Sequence, residues 1–437
     1  MSHAYEDTER VASDTDGQPE AITPTEGGSF YRWELIALLW FAFFLNQGDR
    51  QAYGAVMPLI RDDLGLTSAQ LGLVVTVFTI IYGLLVPVAG LAGDLIQKRW
   101  VVFASLFIFS TGTLLTGSAM GLGMLIIFRS LATGAGEAFY YPAANSLIGQ
   151  YHHRSRAQAM AIHQTANYTG IVIGGWLAAW IGEHYGWRTA FYVFGIAGIA
   201  WSALLLLRLK NDRRPAPAVS PDAQVETSRT ALRHALSTPT LYLLSLAFGG
   251  MIFVHVGFVT WMPTYLFESF DLSLSEASFT AMFYHHITAY AGVLIGARIA
   301  DRLVLRRKGA RLDVEFIGLL FGAPFIWLMG AADTYWLMCL GLLGFGFFRG
   351  VYDSNLFAAL FDVIHPRYHS TATGVMLSIA FVVGSVSPLL LGMIEQDIGL
   401  GTGIAALAAV YVASAVVILI ARYVTFDKDL LREGGPS

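Results

Sequence analysis

Twelve apolar stretches limit what this chain can fold into more than any other feature of its sequence. Each is close to the roughly 20 residues that a helix needs to cross the hydrocarbon core of a bilayer. Of the 437 residues, 55% are hydrophobic and 13% are charged, whereas about a quarter are charged in a typical soluble protein. We therefore expect an all-α integral membrane protein that crosses the cell inner (plasma) membrane many times. The predicted transmembrane helices are approximately residues 33–60, 69–91, 100–120, 123–147, 157–181, 187–207, 241–267, 277–300, 314–330, 336–360, 371–394 and 403–423.

A polar break after the sixth stretch divides the twelve predicted helices into two six-helix halves. Most of the lysines and arginines fall on the side of the membrane that holds this break, which makes that side cytoplasmic and places both termini there. The first residues are acidic and poorly hydrophobic, a composition typical of disorder. The predicted organisation is a disordered cytoplasmic tail (1–32), an amino-terminal half (33–207), a cytoplasmic central loop (208–239), a carboxyl-terminal half (240–424) and a cytoplasmic tail (425–437).

We single out six charged side chains within the predicted helices, where a charge is costly and usually marks a functional site. A guanidinium binds a carboxylate or phosphate through two parallel hydrogen bonds, so the arginines indicate an anionic cargo. The carboxylates beside them suggest coupling to protons. The six are Asp49 and Arg50 in the first helix, Arg129 and Glu137 in the fourth, and Arg349 and Asp353 in the tenth.

A short charged pattern follows the second helix of each half and indicates an internal repeat. Asp94 precedes Arg99 in the first half, and Asp301 with Arg302 precedes further arginines in the second. We expect these four residues to form a cytoplasmic gate whose ion pairs close in one state and separate in the other. A fixed set of loop ion pairs is the alternative.

With these features, the chain resembles the major facilitator superfamily from about residue 33 to residue 426. Within it, the chain is most similar to the anion:cation symporter family, which moves organic anions such as sugar acids with protons or sodium. Four passages carry this likeness: residues 46–50 (NQGDR), 134–143 (GAGEAFYYPA), 186–195 (GWRTAFYVFG) and 261–266 (WMPTYL).

The sequence departs from the family pattern in two places. Leu95 stands where the loop after the second helix usually has a base, and Gln97 replaces a glycine. Arg129 and Glu137 are eight residues apart rather than seven, which changes their angular offset on a regular helix from about 20° to about 80°. We expect the glycines at 134 and 136 to distort the helix and to restore the alignment.

The resemblance implies that Arg50 and Arg129 bind the substrate anion and that Asp49 and Glu137 titrate with the transported protons. Because adjacent residues project about 100° apart on a helix, we expect one of Asp49 and Arg50 to face the cavity and the other to pair with the fourth helix. A purely structural cluster that joins the first and fourth helices is the alternative.

Neutral polar residues near these charges are further candidates for substrate binding. Tyr53 lies one turn after Asp49, and Tyr140 follows Glu137 in the fourth helix. Gln164 and Asn167 in the fifth helix precede glycines at 170, 174 and 175, which allow close helix approach and which we interpret as a rocking interface. For each of these side chains, packing is the alternative.

Arg349 and Asp353 are four residues apart on the tenth helix, a spacing that allows an ion pair within the helix. Either this pair is structural, or it contacts substrate across the cavity, where Asn355 would add neutral hydrogen bonds. Four histidines also fall within spans, and for each a hydrogen-bonded helix contact is favoured over proton transfer. They are His163, His255, His285 and His286.

The predicted function is proton-coupled symport of a small organic anion, such as an aldonate, hexuronate or aldarate, by alternating access. The alternative is a spinster-like lipid or efflux carrier of the same superfamily; a membrane enzyme or sensor is remote, because no nucleotide loop, nucleophile motif or metal cluster is recognisable. We expect a monomer in the lipid bilayer with no cofactor, no nucleic-acid partner and protons or sodium as the coupling ion. Cys339 is the single cysteine, which excludes an intramolecular disulfide.

Overall fold

The computed structural model describes residues 29–152, 155–210, 233 and 237–430, without the side chains of residues 90–95 and 367. Residues 1–28 and 431–437 of the predicted tails lie outside this part of the chain, as does most of the predicted central loop. The first helix begins at Ser29, so the last four residues of the predicted amino-terminal tail are helical.

The amino-terminal half is a bundle of helices interrupted by two π-helical segments. Its elements are α1 (Ser29–Ala55), α2 (Met57–Leu64), α3 (Ser68–Leu95), α4 (Lys98–Thr116), α5 (Leu122–Leu125), a π-segment (Ile126–Thr133), α6 (Gly134–Ala138), α7 (Tyr140–Tyr151), α8 (Arg156–Thr169), a second π-segment (Gly170–Gly174), α9 (Gly175–Tyr185) and α10 (Trp187–Arg208).

The carboxyl-terminal half repeats this arrangement with longer continuous helices. Its elements are α11 (Pro239–Ser269), α12 (Leu274–Val304), α13 (Ala310–Ala331), α14 (Tyr335–Asp353), α15 (Leu356–Val363), a 3-10 turn (Pro366–Tyr368), α16 (His369–Gly384), α17 (Ser387–Ile420), a π-segment (Ala421–Thr425) and α18 (Phe426–Asp429).

Within the described residues, eight helical stretches are long and apolar enough to cross a membrane. The last of them, His369–Asp429, contains two crossings because the chain turns back at Gly399. Three further crossings carry more polar residues and are formed by α1 with α2, by α8 with α9, and by α12. The twelve predicted crossings in two six-helix halves are therefore confirmed.

Single glycines turn the chain at equivalent places in the two halves. Gly186 joins the fifth crossing to the sixth with φ 85° and ψ 149°, and Gly399 joins the eleventh to the twelfth with φ 78° and ψ 155°. Side chains disfavour this backbone region, whereas glycine adopts it readily. The recurrence of one turn geometry agrees with the internal repeat inferred from the charged pattern.

The two halves pack most closely at one end of the bundle. We call the two ends the Ser29 end and the Leu64 end, after the residues at which α1 begins and α2 ends. A Cβ on Gly72 would lie 2.2 Å from the carbonyl oxygen of Pro388, so α3 and α17 meet backbone to backbone at the Leu64 end. Towards the Ser29 end, a Cβ on Gly374 would have Pro87 as its nearest neighbour at 4.0 Å. The interface between the halves therefore loosens towards the Ser29 end.

Candidate functional site

A cavity of about 400 Å³ lies between the two halves, beside the loosened interface. Its volume falls in the range of pockets that bind small molecules, roughly 300–1,000 Å³. Charged and polar side chains of both halves contribute to its wall. From the amino-terminal half these are Gln47, Arg50, Gln51, Tyr53, Thr79, Tyr82, Arg129, Asn167 and Tyr168; from the carboxyl-terminal half they are His255, Thr260, His286, Arg349 and Asp353.

Arg50 faces the cavity and pairs with Glu137 of α6. Its Nε and Nη2 lie 2.8 and 2.7 Å from the same carboxylate oxygen, Oε2. The guanidinium also lies over the rings of Phe78 and Tyr82, at 5.4 and 4.4 Å from their centroids. The Arg50 side chain keeps 25% of its surface exposed, whereas the Glu137 side chain is fully buried. The second oxygen of Glu137, Oε1, is buried and has no hydrogen-bond partner within the described residues.

Asp49 and Arg129 form a second pair next to the first, and both of its side chains are buried. Arg129 Nη1 donates to Asp49 Oδ1 at 3.0 Å, and its Nη2 donates at 3.1 Å to the backbone carbonyls of both Asp49 and Arg50. Thr113 of α4 donates to the other oxygen of Asp49. Both carboxylate oxygens of Asp49 are thus engaged, and Arg129 ties the backbone of α1 to the fourth crossing.

The expectation that one of the two adjacent residues faces the cavity while the other pairs with the fourth crossing agrees with the structure, which adds a second pair. Asp49 binds Arg129 and Arg50 binds Glu137, so both pair with that crossing, and Arg50 lines the cavity as well.

The π-segment Ile126–Thr133 explains how both pairs form despite the eight-residue spacing. A π-turn closes i to i+5 hydrogen bonds and so accommodates one more residue than an α-turn. Arg129 lies inside this segment, and Glu137 follows it in α6. The helix is distorted as expected, but the distortion precedes Gly134 rather than coinciding with the glycines.

Gly136 serves close packing instead. A Cβ on it would lie 2.6 Å from the backbone nitrogen of Phe109.

A second polar cluster occupies the opposite wall of the cavity. Arg349 Nη1 lies 2.9 Å from Nδ1 of His255 and 3.0 Å from Nε2 of His285. Arg349 Nε lies 3.4 Å from Asp353, so the predicted ion pair within α14 forms. His286 contributes to the same wall and contacts the carbonyl of Met282 through Nδ1 at 2.8 Å. Three of the four histidines singled out in the sequence thus surround one cavity arginine.

Some predicted substrate contacts do not lie in the cavity wall. Tyr140 is fully buried and donates to the carbonyl of Leu39 at 2.5 Å. Asn355 is buried beside Ser354, at 2.8 Å from its hydroxyl, and Gln164 accepts a hydrogen bond of 3.4 Å from Tyr141. That these side chains point away from the cavity could not be predicted, because the packing of neighbouring helices decides which face of each helix lines the cavity.

Tyr53 and Asn167 do line the cavity, as predicted. The Tyr53 hydroxyl also donates to the carbonyl of Leu71 at 3.3 Å.

His163 remains a helix contact. It is buried and stacks on Phe43, with 4.8 Å between the ring centroids.

Of the four predicted gate residues, the structure describes the side chains of Arg99, Asp301 and Arg302. Arg99 donates to the carbonyl of Leu206 inside the amino-terminal half, and Asp301 and Arg302 are exposed. The side chain of Asp94 lies outside the described part of the structure, so the gate that it would complete stays a prediction.

Sequence reasoning missed an ion pair that does join the halves, at the Leu64 end. Arg61 of α2 lies 2.6 Å from Glu268 of α11 and 3.6 Å from Glu395 of α17. The sequence does contain a signal for this ion pair. A basic residue ends the first crossing, and acidic residues end the seventh and eleventh crossings on the same side of the membrane.

Glu315 in α13 was also overlooked among the charged residues within spans. It is fully buried, and neither carboxylate oxygen has a hydrogen-bond partner within the described residues.

Comparison with known proteins agrees with this architecture. Residues 39–388 match the Major Facilitator Superfamily. The chain is 26% identical to the hexuronate transporter of Bacillus subtilis (strain 168), over 88% of this chain and 93% of that protein. It is 26% identical to the D-galactonate transporter of Escherichia coli O6:H1, over 92% and 97% of the two chains. It is also 27% identical to protein spinster of Drosophila melanogaster, over 87% of this chain and 65% of that protein.

Among solved structures, a bacterial homologue of the human lysosomal transporter spinster, inward-facing and unoccupied, has the same fold. The TM-score is 0.78 at 21% identity, over 93% of this chain and all of that one. With the family match spanning most of the sequence, the chain belongs to the major facilitator superfamily and is a transporter rather than an enzyme.

Proposed function

We propose that this protein is a proton-coupled symporter of small organic anions of the sugar-acid type, working by alternating access as a monomer without a cofactor. The observation that carries this proposal is the Arg50–Glu137 pair in the cavity wall. A partly exposed guanidinium is available to an anion, while its buried partner has one oxygen without a hydrogen bond. Relatives that are hexuronate and galactonate transporters support the substrate class.

The charge balance of the cavity links the anion to a proton. Three arginines and three carboxylates meet there, so the site is neutral overall when all are ionised. An added anion would leave a net negative charge in a largely dehydrated place, which is unfavourable. A proton on Glu137 removes that charge and frees Arg50 for the substrate carboxylate. Anion and proton therefore favour each other's binding, which is coupling by linkage.

Asp49 has a supporting part in this scheme. Thr113 lies within hydrogen-bonding distance of both Asp49 and the carbonyl of Phe109 but carries one proton. It donates to an ionised Asp49, or accepts from a protonated one while donating to the carbonyl. Asp49 can thus change its protonation state without losing this hydrogen bond, and Arg129 holds it in place.

The transport cycle follows from the unequal packing of the two ends. We infer that the Leu64 end faces outwards across the inner membrane and the Ser29 end faces the cytoplasm, with both termini. The Arg61 ion pairs and the close contact of α3 with α17 belong to an inward-facing state. Rocking of the halves would open the Leu64 end for uptake of anion and proton, and both would leave at the Ser29 end.

A spinster-like carrier for lipids is the second candidate, favoured by the identity to protein spinster and by the shared fold. The cavity wall supports the sugar-acid proposal more strongly. It has charged groups in both halves and amides in the amino-terminal half, and these groups suit carboxylates and hydroxyls better than acyl chains.

Uptake into sodium-free proteoliposomes tests the proposal. Purified protein would be given labelled galactonate, glucuronate, a neutral hexose or a lysolipid, with and without an inwardly directed proton gradient. We expect sugar-acid uptake that the gradient accelerates and that neutral sugar does not show. If uptake appears only after sodium is added to the assay, proton coupling is refuted. Transport of the lysolipid alone would establish the spinster-like function.

A further inference from the structure

The cavity contains a third guanidinium, Arg349, whose surroundings differ from those of Arg50 and Arg129. Those two arginines each hydrogen-bond to a carboxylate. Arg349 instead directs Nη1 to ring nitrogens of His255 and His285. An arginine can only donate, so both ring nitrogens are acceptors and the histidines are neutral. They orient the guanidinium without cancelling its charge.

The other edge of this guanidinium is the one that binds carboxylates side-on. Nε and Nη2 lie on that edge; Nε is buried and makes no hydrogen bond within the described residues, and 14% of the side-chain surface remains exposed. Asp353 approaches Nε to 3.4 Å, an ion-pair distance without hydrogen-bond geometry. Arg349 is therefore positioned by its neighbours but retains the capacity to bind an anion.

Arg349 and Arg50 belong to opposite walls of one cavity. Arg50 comes from α1 in the amino-terminal half, and Arg349 comes from α14 in the other half. Between them the lining offers groups that suit hydroxyls, among them Gln51, Asn167 and Thr260. His286 adds an acceptor, because its Nδ1 is engaged with a carbonyl oxygen and must donate to it.

We propose that Arg349 is a second anion-binding site and that the preferred substrate carries a carboxylate at each end, as an aldarate does. This inference rests on the proposed function, since it places the first carboxylate at Arg50. The two carboxylates span the halves, and the hydroxyls between them contact the amides and His286. By the same charge balance, the second carboxylate requires a second proton, which Asp353 beside Arg349 takes up as the substrate replaces it. A substrate held by both halves also draws them together as the cavity closes around it.

The test compares two acids that differ only at one end. Galactarate and galactonate share their stereochemistry, but galactarate has a carboxylate where galactonate has a hydroxymethyl group. A hydrogen-bonded charge pair is worth about a factor of ten or more in affinity. In sodium-free proteoliposomes we expect a KM for galactarate at least about tenfold below that for galactonate. In Arg349→Gln this ratio falls to about one, because the galactarate KM rises far more than the galactonate KM.

Arg311→Gln is the matched control. Arg311 forms an ion pair with Asp362 in the same half, outside the cavity wall, so its loss should leave the KM ratio unchanged. Arg349→Lys keeps the charge and should retain part of the preference for galactarate over galactonate. The melting temperature of each variant shows whether it is folded.

Equal KM values for the two acids in the wild type would overturn the inference while leaving anion symport intact. So would an equal rise of both KM values in Arg349→Gln. Transport of neither acid would instead refute the proposed function itself.

Discussion

Arg50 is the residue on which substrate binding should depend most. Arg50→Ala removes the exposed guanidinium and also leaves Glu137 buried without its partner. Truncating one member of such a pair costs about 2–5 kcal/mol, so we expect at least about a 30-fold loss of anion affinity. Ligand-induced protection against thermal unfolding measures that affinity directly. Arg50→Lys keeps a charge but loses the two-point contact and should lie between wild type and alanine. Normal affinity in Arg50→Ala would refute the anion site.

Glu137 should control proton coupling rather than binding. Glu137→Gln keeps an oxygen that accepts from Arg50 but removes the titrating group. We expect exchange of internal for external anion to continue, because exchange needs no net proton movement. Accumulation driven by an imposed proton gradient should disappear. Counterflow and gradient-driven uptake, measured on the same vesicles, separate the two. Gradient-driven accumulation that persists in Glu137→Gln would assign the proton to another group.

The histidine partners of Arg349 illustrate a limit of sequence reasoning at this scale. His255 and His285 lie 94 and 64 residues from Arg349 along the chain. Each was visible as a polar residue in an apolar stretch, and so was the arginine. Their contact depends on how α11, α12 and α14 are rotated about their axes, and hydrophobicity does not determine rotation when a helix is apolar on most faces.

At the scale of elements, the crossings themselves could be predicted because the bilayer fixes their length. The break at Gly399 was correctly placed between the last two predicted helices. The π-segment in the fourth crossing could not be located in the same way. The one sequence feature that indicates the π-segment is the eight-residue spacing of Arg129 and Glu137. This spacing locates the segment only when it is known that both residues pair with α1.

The π-segment also makes a prediction about deletions. Removing Leu131, an exposed residue between Arg129 and Glu137, should convert the segment to regular α-helix and preserve both ion pairs. We expect such a variant to fold and to keep much of its transport activity. Deleting Ile196, which is also exposed but lies within the regular helix α10, should rotate one end of that helix by about 100° and disrupt packing. Size-exclusion profiles and uptake rates compare the two. Equal damage from both deletions would contradict the proposed role of the π-segment.

Glycines set how closely the crossings approach, and one contact positions the site. A Cβ on Gly174 would lie 2.2 Å from Cα of Gly48, directly before Asp49. The fifth crossing therefore rests against α1 at the turn that carries both charged residues. The close helix approach expected of the fifth-helix glycines agrees with this contact, whereas their interpretation as a rocking interface does not follow from it. The contact lies within one half, so it fixes the site and is not itself the interface between halves.

On the scale of the whole molecule, the interface between the halves is asymmetric. At the Leu64 end the halves share backbone contacts and the ion pairs of Arg61. Towards the Ser29 end, a Cβ on Gly374 would have Pro87 as its nearest neighbour at 4.0 Å. The equilibrium between the two access states therefore depends on how strongly the contacts at the Leu64 end stabilise the state in which that end is closed. Arg61 is the polar group at this end that can be replaced without opening a cavity.

Arg61→Gln should shift that equilibrium towards the outward-open state. A partly exposed ion pair contributes about 0.2–1 kcal/mol, so we expect the open population to rise by up to about fivefold. Spin labels at Tyr185→Cys and Gln396→Cys, introduced after Cys339→Ala, report the separation of the halves at this end, and the distance distribution should gain a longer component. Arg188→Gln is the matched control, because Arg188 pairs with Asp63 at the same end but within the amino-terminal half. If both variants lengthen the distance alike, general loosening of the end explains the effect. If neither does, backbone packing alone holds the halves together, and the Arg61 ion pairs follow closure rather than stabilise it.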